Sequence, residues 1–177
     1  MSHQPLAPRA VADSRVELTQ LMEATDVNLA GTVHGGVVMR LVDTAAGLAA
    51  MRHACGLAVT VTIDEMTFLD PVHIGDLLVL RASVNDVGTT SMECGVRVEA
   101  HDVVTGTTRH VNTAYLVFVA VDDEGKPRPV PPLVAETEEE RRRQREAKLR
   151  RAARLAHKEA VRAARQAATD EPQARAT

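Results

Sequence analysis

Apolar residues recur at helical spacing along one stretch of this chain and at every second position along several others. Val38, Leu41, Val42, Ala45 and Ala49 lie on one helical face, and no proline interrupts residues 37–54, which predicts one long helix there. After Gly56 the period falls to two. Val59, Val61 and Ile63 alternate with Thr60, Thr62 and Asp64, giving a strand over 57–68. Strands follow over 77–87, over 91–103 (with Met92, Cys94, Val96 and Val98 in alternation) and over 109–121. They are divided by Gly75-Asp76, Gly88-Thr89-Thr90 and Thr105-Gly106. Ser14 to Met22 reads as a first strand. Four successive strands joined by short turns predict an antiparallel meander, with the long helix as the only cover available for one face. The expectation is an α+β domain over 14–122.

The flanks read differently. Residues 1–13 contain two prolines and no periodicity, which predicts a disordered N-terminus. Lys126 to Pro132 hold four prolines in seven residues, so 123–135 read as an extended connector. Thr137-Glu138-Glu139-Glu140 has the form of a capping box, with its acids at the positive end of a helix. Glu138/Arg142, Glu139/Arg143 and Glu146/Arg150 are four apart, each pair stabilising a helix by roughly 0.2–0.5 kcal/mol. A charged helix over 136–168 is expected, ended by Asp170-Glu171-Pro172, with 169–177 a disordered tail.

Composition narrows the picture. Of 177 residues 45% are hydrophobic, but Phe68, Tyr115 and Phe118 are the only aromatics, so the core is expected to be Val, Leu, Ile, Ala and Met. Residues 1–135 carry 9 Lys/Arg against 16 Asp/Glu, a net of −7, whereas 136–177 carry 12 against 8, a net of +4. The acidic body argues against a nucleic-acid surface there. Eleven Lys/Arg fall within 141–165; they fit either a nucleic-acid or anionic surface binder or, the preferred reading, a solvated helix docking on an oligomer. Cys55 and Cys94 lack metal or redox spacing. The chain shows no signal-peptide core, no apolar run near 18 residues and no peroxisomal ending. A soluble, untargeted, cytoplasmic protein is expected, with no membrane segment.

Asp43 needs explaining, because it sits on a mostly apolar helix and an unpaired buried carboxylate is costly. It is an exposed helix residue, or one tied to Arg40 or Arg52, or a functional group. Just upstream, Gly35-Gly36 opens the helix, where free N–H groups and the dipole favour negative charge developing on a carbonyl oxygen; equally, the glycines permit a tight turn. Asn28 either orients a ligand through its amide or bonds its own backbone. His34 has no Ser or Cys partner to act on and reads as a helix-start or packing residue. His53 and Cys55 do not make a metal pair, and there is no GxxxxGK phosphate loop. No metal and no cofactor are expected.

The run Asp26-Val27-Asn28-Leu29-Ala30-Gly31-Thr32-Val33-His34-Gly35-Gly36, then Met39, Asp43 and Ala46-Gly47, resembles the acyl-CoA hydrolases of the hotdog superfamily, the cytosolic brain-type family and its single-domain bacterial relatives. The likeness continues through Val59-Thr60-Val61, Phe68, Gly75-Asp76, Ser91-Met92-Glu93, Tyr115 to Val119 and Gly125-Lys126-Pro127, and covers roughly residues 15–150. It implies a curved antiparallel sheet around a long central helix, here with a C-terminal helical extension. It implies a homodimer joined edge to edge, three pairs forming a hexamer, and a site between subunits. Asn28, Gly35 and Gly36 of one chain then face Asp43 of the other. The implied activity is hydrolysis of acyl-CoA to fatty acid and coenzyme A, in lipid metabolism, with Asp43 as general base or nucleophile. Val59, Thr60, Val61 and Thr62 are implied to flank the pantetheine arm, and Gly88, Thr89, Thr90 and Ser91 the nucleotide end. Relatives carry Lys or Arg in that turn; this chain does not, and Arg81, Arg109 or a tail Arg are the alternatives. A non-catalytic acyl-CoA-binding regulator on the same fold is the rival reading. A dehydratase or isomerase lacks a well-placed His/Asp pair.

Overall fold

The computed structural model describes residues 6–174. Apolar spacing at three and four residues builds helix α2 (Gly35–Ala54), which follows β1 (Arg9–Ala10), α1 (Val11–Ser14) and β2 (Val16–Leu21). Its buried face comprises Val38, Leu41, Val42, Ala45, Ala46, Ala49 and Ala50. The alanines are 0% exposed, and their small side chains let the helix lie close against the sheet. Four long strands follow: β3 (Ala58–Phe68), β4 (Asp76–Val87), β5 (Ser91–Asp102) and β6 (Thr108–Ala120). All lie within two residues of the ranges expected from periodicity.

Their order differs from a simple meander. The sheet runs β2-β4-β5-β6-β3, antiparallel throughout. Only β4, β5 and β6 are consecutive neighbours; β3 crosses to the far edge and pairs with β6. Thr60, Thr62, Asp64 and Glu65 suit β3 to an edge, whereas β4 is buried along nearly its whole length. The crossing covers three strand spacings, about 14 Å, within the roughly 23 Å reach of the seven residues 69–75. Arg109 pins that segment, with Nη1 donating to Asp70 Oδ2 (2.7 Å) and the Pro71 carbonyl (2.8 Å) and Nη2 to Asp76 Oδ2 (2.8 Å).

The core lies between α2 and the inward face of the sheet, with Phe118, Met22, Leu78, Leu80, Met92 and Leu116 its largest buried side chains. Both isoleucines fall outside it: Ile63 and Ile74 are 40% and 54% exposed. Phe118 is the only aromatic in it, since Phe68 is exposed and Tyr115 faces outward.

The outward face is covered too, which corrects the expectation of a single covering helix. After β7 (Leu133–Val134), helix α3 (Glu138–Ala174) crosses it, continuing past the expected end at 168. Thr137 caps α3: Glu140 N–H donates to Thr137 Oγ1, and Glu140 returns the contact to the Thr137 N–H. Among the three expected ion pairs only Glu139–Arg143 forms. Glu138 takes Arg141 and Arg145, Glu146 takes Arg142, and Arg150 reaches down to Glu93 (2.6 Å). Arg150 also stacks 3.6 Å from the Tyr115 ring centroid. Gln144 bonds Asp86, and Arg154 pairs with Asp64 on β3. Tertiary carboxylates that are already desolvated outcompete exposed helix neighbours for a guanidinium.

The N-terminal expectation is corrected for residues 9–13. β1 pairs in parallel with β7, Val11 is buried, and Ser14 Oγ accepts from Val84 N–H (3.0 Å) while donating to the Val11 carbonyl (2.7 Å). The proline-rich connector is docked rather than free. His53 Nε2 meets the Pro131 carbonyl at 2.9 Å, and Arg128 Nη2 donates to the Ala54 carbonyl (2.8 Å) at the end of α2. A Cβ at Gly56 would overlap that guanidinium, so the glycine there makes room for a cap of favourable sign. Residues 1–5 and 175–177 lie outside the described residues.

Glu140 gives the fold an acid-sensitive point. Burial pushes its carboxyl up, but the N–H groups of Thr137 and Glu136 and the Arg15 guanidinium outweigh this and hold it below the ordinary 4.5. A carboxyl lowered in the folded state stabilises at neutral pH, and that contribution is lost as pH falls below 4.5 and through the lowered value. Glu140→Gln is therefore expected to flatten the acid limb of the stability–pH curve measured by chemical denaturation. Identical limbs in the two proteins would contradict this role.

Candidate active site

Asp43 lies one turn beyond Met39 on α2, half-buried and turned toward the exposed β3 edge. Its Oδ1 accepts from the hydroxyl of Thr60 at 2.7 Å. Neither Arg40 nor Arg52 pairs with it among the described residues, so the carboxylate is held by a neutral donor. Thr60, expected only as a pantetheine neighbour, thus also positions the carboxylate. The pairing joins positions seventeen apart on different elements, which strand alternation does not reveal.

The start of α2 is built by Asp26 to Gly36. His34 N–H bonds the Asp26 carbonyl (2.7 Å), and Val33 N–H the Val72 carbonyl (2.8 Å). His34 is the N-cap: its Nδ1 accepts from Gly36 N–H at 2.9 Å, and its carbonyl accepts from Val37 N–H at 2.9 Å. This agrees with the helix-start reading of His34, and it leaves the Gly36 N–H already engaged. Gly35 stands beside Phe68, whose Cζ would lie 3.5 Å from a Cβ there. Asn28 Oδ1 accepts from the N–H of Ala30 (2.8 Å) and of Thr32 (3.3 Å), and Nδ2 donates to Thr32 Oγ1 (3.0 Å). Within one chain Asn28 is a turn residue bonding its own loop.

Gly35 and Asp43 are eight residues apart on a continuous helix, about 12 Å along its axis. Donors at the helix start and this carboxylate therefore do not converge on one carbonyl within a single chain, since reacting groups stand about 3 Å apart. The surfaces around both are apolar and open. Leu29 at the loop tip is 109% exposed, Val59 49%, Val61 60% and Phe68 51%.

Val59 to Thr62 lie along this edge. Gly88, Thr89, Thr90 and Ser91 form the β4–β5 turn, closed by Gly88 N–H to the Ser91 carbonyl (2.7 Å). Ser91 pairs with Val119, and Val119 with Val59. The turn and the Asp43–Thr60 pair thus share one end of the sheet, two strand spacings or about 10 Å apart. A recess of about 660 Å³ lies on the opposite, outward face beside α3, lined by Arg81, Arg97 and Arg142 among others; each of these is ion-paired. Among the described residues no group of three or more His, Cys, Asp or Glu is placed to hold a metal ion, and no helix is long and apolar enough to cross a membrane.

The thioesterase superfamily model matches residues 30–107. An uncharacterised acyl-CoA thioester hydrolase of Bacillus subtilis, YkhA, is 39% identical over 132 residues, which are 75% of this chain and 77% of that protein. The chain belongs to the thioesterase superfamily. This superfamily member is also 37% identical over 143 residues to the mouse cytosolic acyl coenzyme A thioester hydrolase, covering 80% of this chain but 38% of that protein. It therefore spans well under half the length of the mammalian relatives it matches. A hexameric acyl-CoA thioesterase superposes with a TM-score of 0.83 at 38% identity, over 86% of this chain and 97% of that one. The Staphylococcus aureus acyl-CoA hydrolase, solved with butyryl coenzyme A and coenzyme A, superposes with a TM-score of 0.79 at 34% identity, over 85% and 92%. It has also been solved with an asparagine, an aspartate or a threonine replaced by alanine, and their numbers there coincide with Asn28, Asp43 and Thr60 here. The superfamily member has the hotdog fold.

The cap at the start of α2 is testable by itself. His34→Ala removes the acceptor for Gly36 N–H and is expected to lower unfolding free energy by about 1 kcal/mol. An unchanged denaturation midpoint would show that the cap does not form.

Proposed function

We propose that the chain is an acyl-CoA thioesterase, releasing free fatty acid and coenzyme A from a site assembled by two copies of itself. The observation that carries this is Asp43: a carboxylate held by Thr60 on an open apolar edge, about 12 Å from its own helix start. Names given to relatives at 36–39% identity supply the substrate class.

In the reading, Asn28 and the Gly35-Gly36 turn of one chain hold the thioester carbonyl, and Asp43 of the other faces its carbon. As general base, Asp43 takes a proton from water; the hydroxide adds to the carbonyl, and the tetrahedral oxyanion collapses to expel the thiolate, which takes that proton from Asp43. As nucleophile, it forms an anhydride that water then cleaves. Single-turnover labelling with heavy-oxygen water separates the routes. The pantetheine arm lies along Val59, Thr60, Val61 and Thr62, with the nucleotide end at Gly88, Thr89, Thr90 and Ser91. No cofactor or metal takes part, since coenzyme A arrives within the substrate. The β3 edges join two copies, and three such pairs form a hexamer, as the hexameric neighbour supports. The naming of the mouse relative supports a cytoplasmic setting. The ion pairs that occupy Arg141, Arg142, Arg143, Arg145, Arg150 and Arg154 support a packing role for α3 rather than a nucleic-acid one.

Asp43→Asn is expected to cut thiol release from acyl-CoA by about 10²–10⁴-fold without changing oligomer size by light scattering; full turnover in this variant refutes the assignment. A wild-type protein that binds acyl-CoA but releases no thiol is instead a binding protein.

Co-expressing Asp43→Asn with Asn28→Ala chains tests the shared site. Half the dimers then pair unlike chains, each with one intact site, so activity should recover to about a quarter of wild type. No recovery in mixtures shown to contain mixed dimers means that the two residues serve within one chain.

A further inference from the structure

Acyl-CoA carries phosphates at its nucleotide end, yet the turn Val87-Gly88-Thr89-Thr90-Ser91 has no cation. Two of the alternatives raised by sequence are committed elsewhere. Arg81 is paired with Glu17 and Glu99. Arg109 holds Asp70 and Asp76. On α3, Arg150 and Arg154 are spent on Glu93 and Asp64.

Arg151 differs. It is half-buried, and among the described residues it has no ion pair or hydrogen bond. Its guanidinium lies against the turn: a Cβ at Gly88 would stand 2.9 Å from both Nη1 and Nη2, and 2.8 Å from Ser91 Oγ. Only a residue without a side chain admits that approach. The hydroxyls of Thr89, Thr90 and Ser91 likewise have no hydrogen-bond partner among the described residues. The crevice between α3 and the turn also contains Asp86 and Glu93; Glu93 is paired with Arg150, and Asp86 accepts from the neutral Gln144 amide, while neither lies within ion-pair distance of Arg151. A guanidinium with no ion-pair or hydrogen-bond partner of its own, beside three unbonded hydroxyls, is a site for an anion with several acceptor oxygens.

We propose that Arg151 is the phosphate-binding cation for the nucleotide end of acyl-CoA, supplied from α3 in place of a basic residue in the turn. The inference rests on the acyl-CoA reading above. The turn lies about 10 Å across the sheet from the Asp43–Thr60 pair, at the same end of the strands, so one ligand can touch both.

The test is titration of intact protein with coenzyme A, alongside kinetics on an acyl-CoA and on the matching acyl-pantetheine, which has no phosphate. Arg151→Gln should raise the Kd for coenzyme A and the KM for acyl-CoA by roughly ten- to a hundredfold, with kcat retained and acyl-pantetheine turnover unchanged. Gly88→Ala, whose Cβ displaces the guanidinium, should shift both constants the same way. Arg162→Gln, an equal charge loss on the exposed part of α3, should shift neither. An unchanged Kd in Arg151→Gln, or an equal loss on acyl-pantetheine, overturns the proposal. A wild-type protein that binds coenzyme A through Arg151 but releases no thiol would overturn the hydrolase reading and leave this one standing.

Discussion

Asp43 lies eight positions along the helix from Gly35, and the rest of the proposed site's logic depends on that interval. An α-helix holds its rise within narrow limits, and α2 has little freedom to bend. Ala45, Ala46, Ala49 and Ala50 are fully buried against the sheet, and its far end is fastened to the connector by Arg128 and by the contact of His53 with the Pro131 carbonyl. Burial pushes the His53 imidazole down, against the pull of the Pro131 carbonyl, so its charged form is disfavoured there. A carboxylate at this position on a rigid rod does not reach the donors at the rod's beginning. The proposed chemistry therefore requires another surface, and the structure leaves one open: an eleven-residue edge strand with exposed valines. Unpaired strand edges of that length and polarity are ordinarily protected. In the proposed dimer a second copy protects this one while bringing its own helix start.

The outward face follows a different economy. The chain divides into an acidic body and a basic tail, and α3 brings them together by laying Arg150 and Arg154 onto Glu93 and Asp64. Desolvating such pairs offsets much of their attraction, so they fix where the helix sits more than they stabilise it. Ala147, 1% exposed, supplies the close approach between them. Arg151, next to Arg150 in sequence, points to the turn instead of a carboxylate, which is why it stands out among the arginines of this segment.

Periodicity revealed the elements but not all of their neighbours. A period of 3.6 or 2 records which face of an element is buried, and α2 and the four long strands were legible to within two residues. It does not record which strand lies alongside. The apolar run Leu77-Leu78-Val79-Leu80 and the polar alternation of Thr60, Thr62 and Asp64 already mark one central and one edge strand, yet succession along the chain argued for pairing them. The N-terminal segment was illegible because a two-residue strand and a four-residue helix have no period. Arg150 was misread for another reason: local spacing offered Glu146, and only the packed molecule offers Glu93 with an aromatic ring beside it. For the candidate site, Asp43, Asn28 and the glycines were singled out because their grouping resembles that of a known family. The hold of Thr60 on Asp43 needed the fold, since nothing local relates them.

The donors of the proposed site are not idle in the isolated chain. Gly36 N–H is bonded to an imidazole nitrogen, and the Asn28 amide to a hydroxyl. Leaving such donors unpaired in a closed site costs about 1–3 kcal/mol each, so internal partners keep the empty site satisfied. In the proposed reaction the substrate oxygen must displace those partners. A neutral thioester carbonyl gains little by doing so, because one ordinary hydrogen bond replaces another. An oxyanion gains more, since charge-assisted hydrogen bonds are roughly twice as strong. The exchange is therefore most favourable as negative charge accumulates on the oxygen, and it is this difference between ground state and transition state that accelerates a reaction.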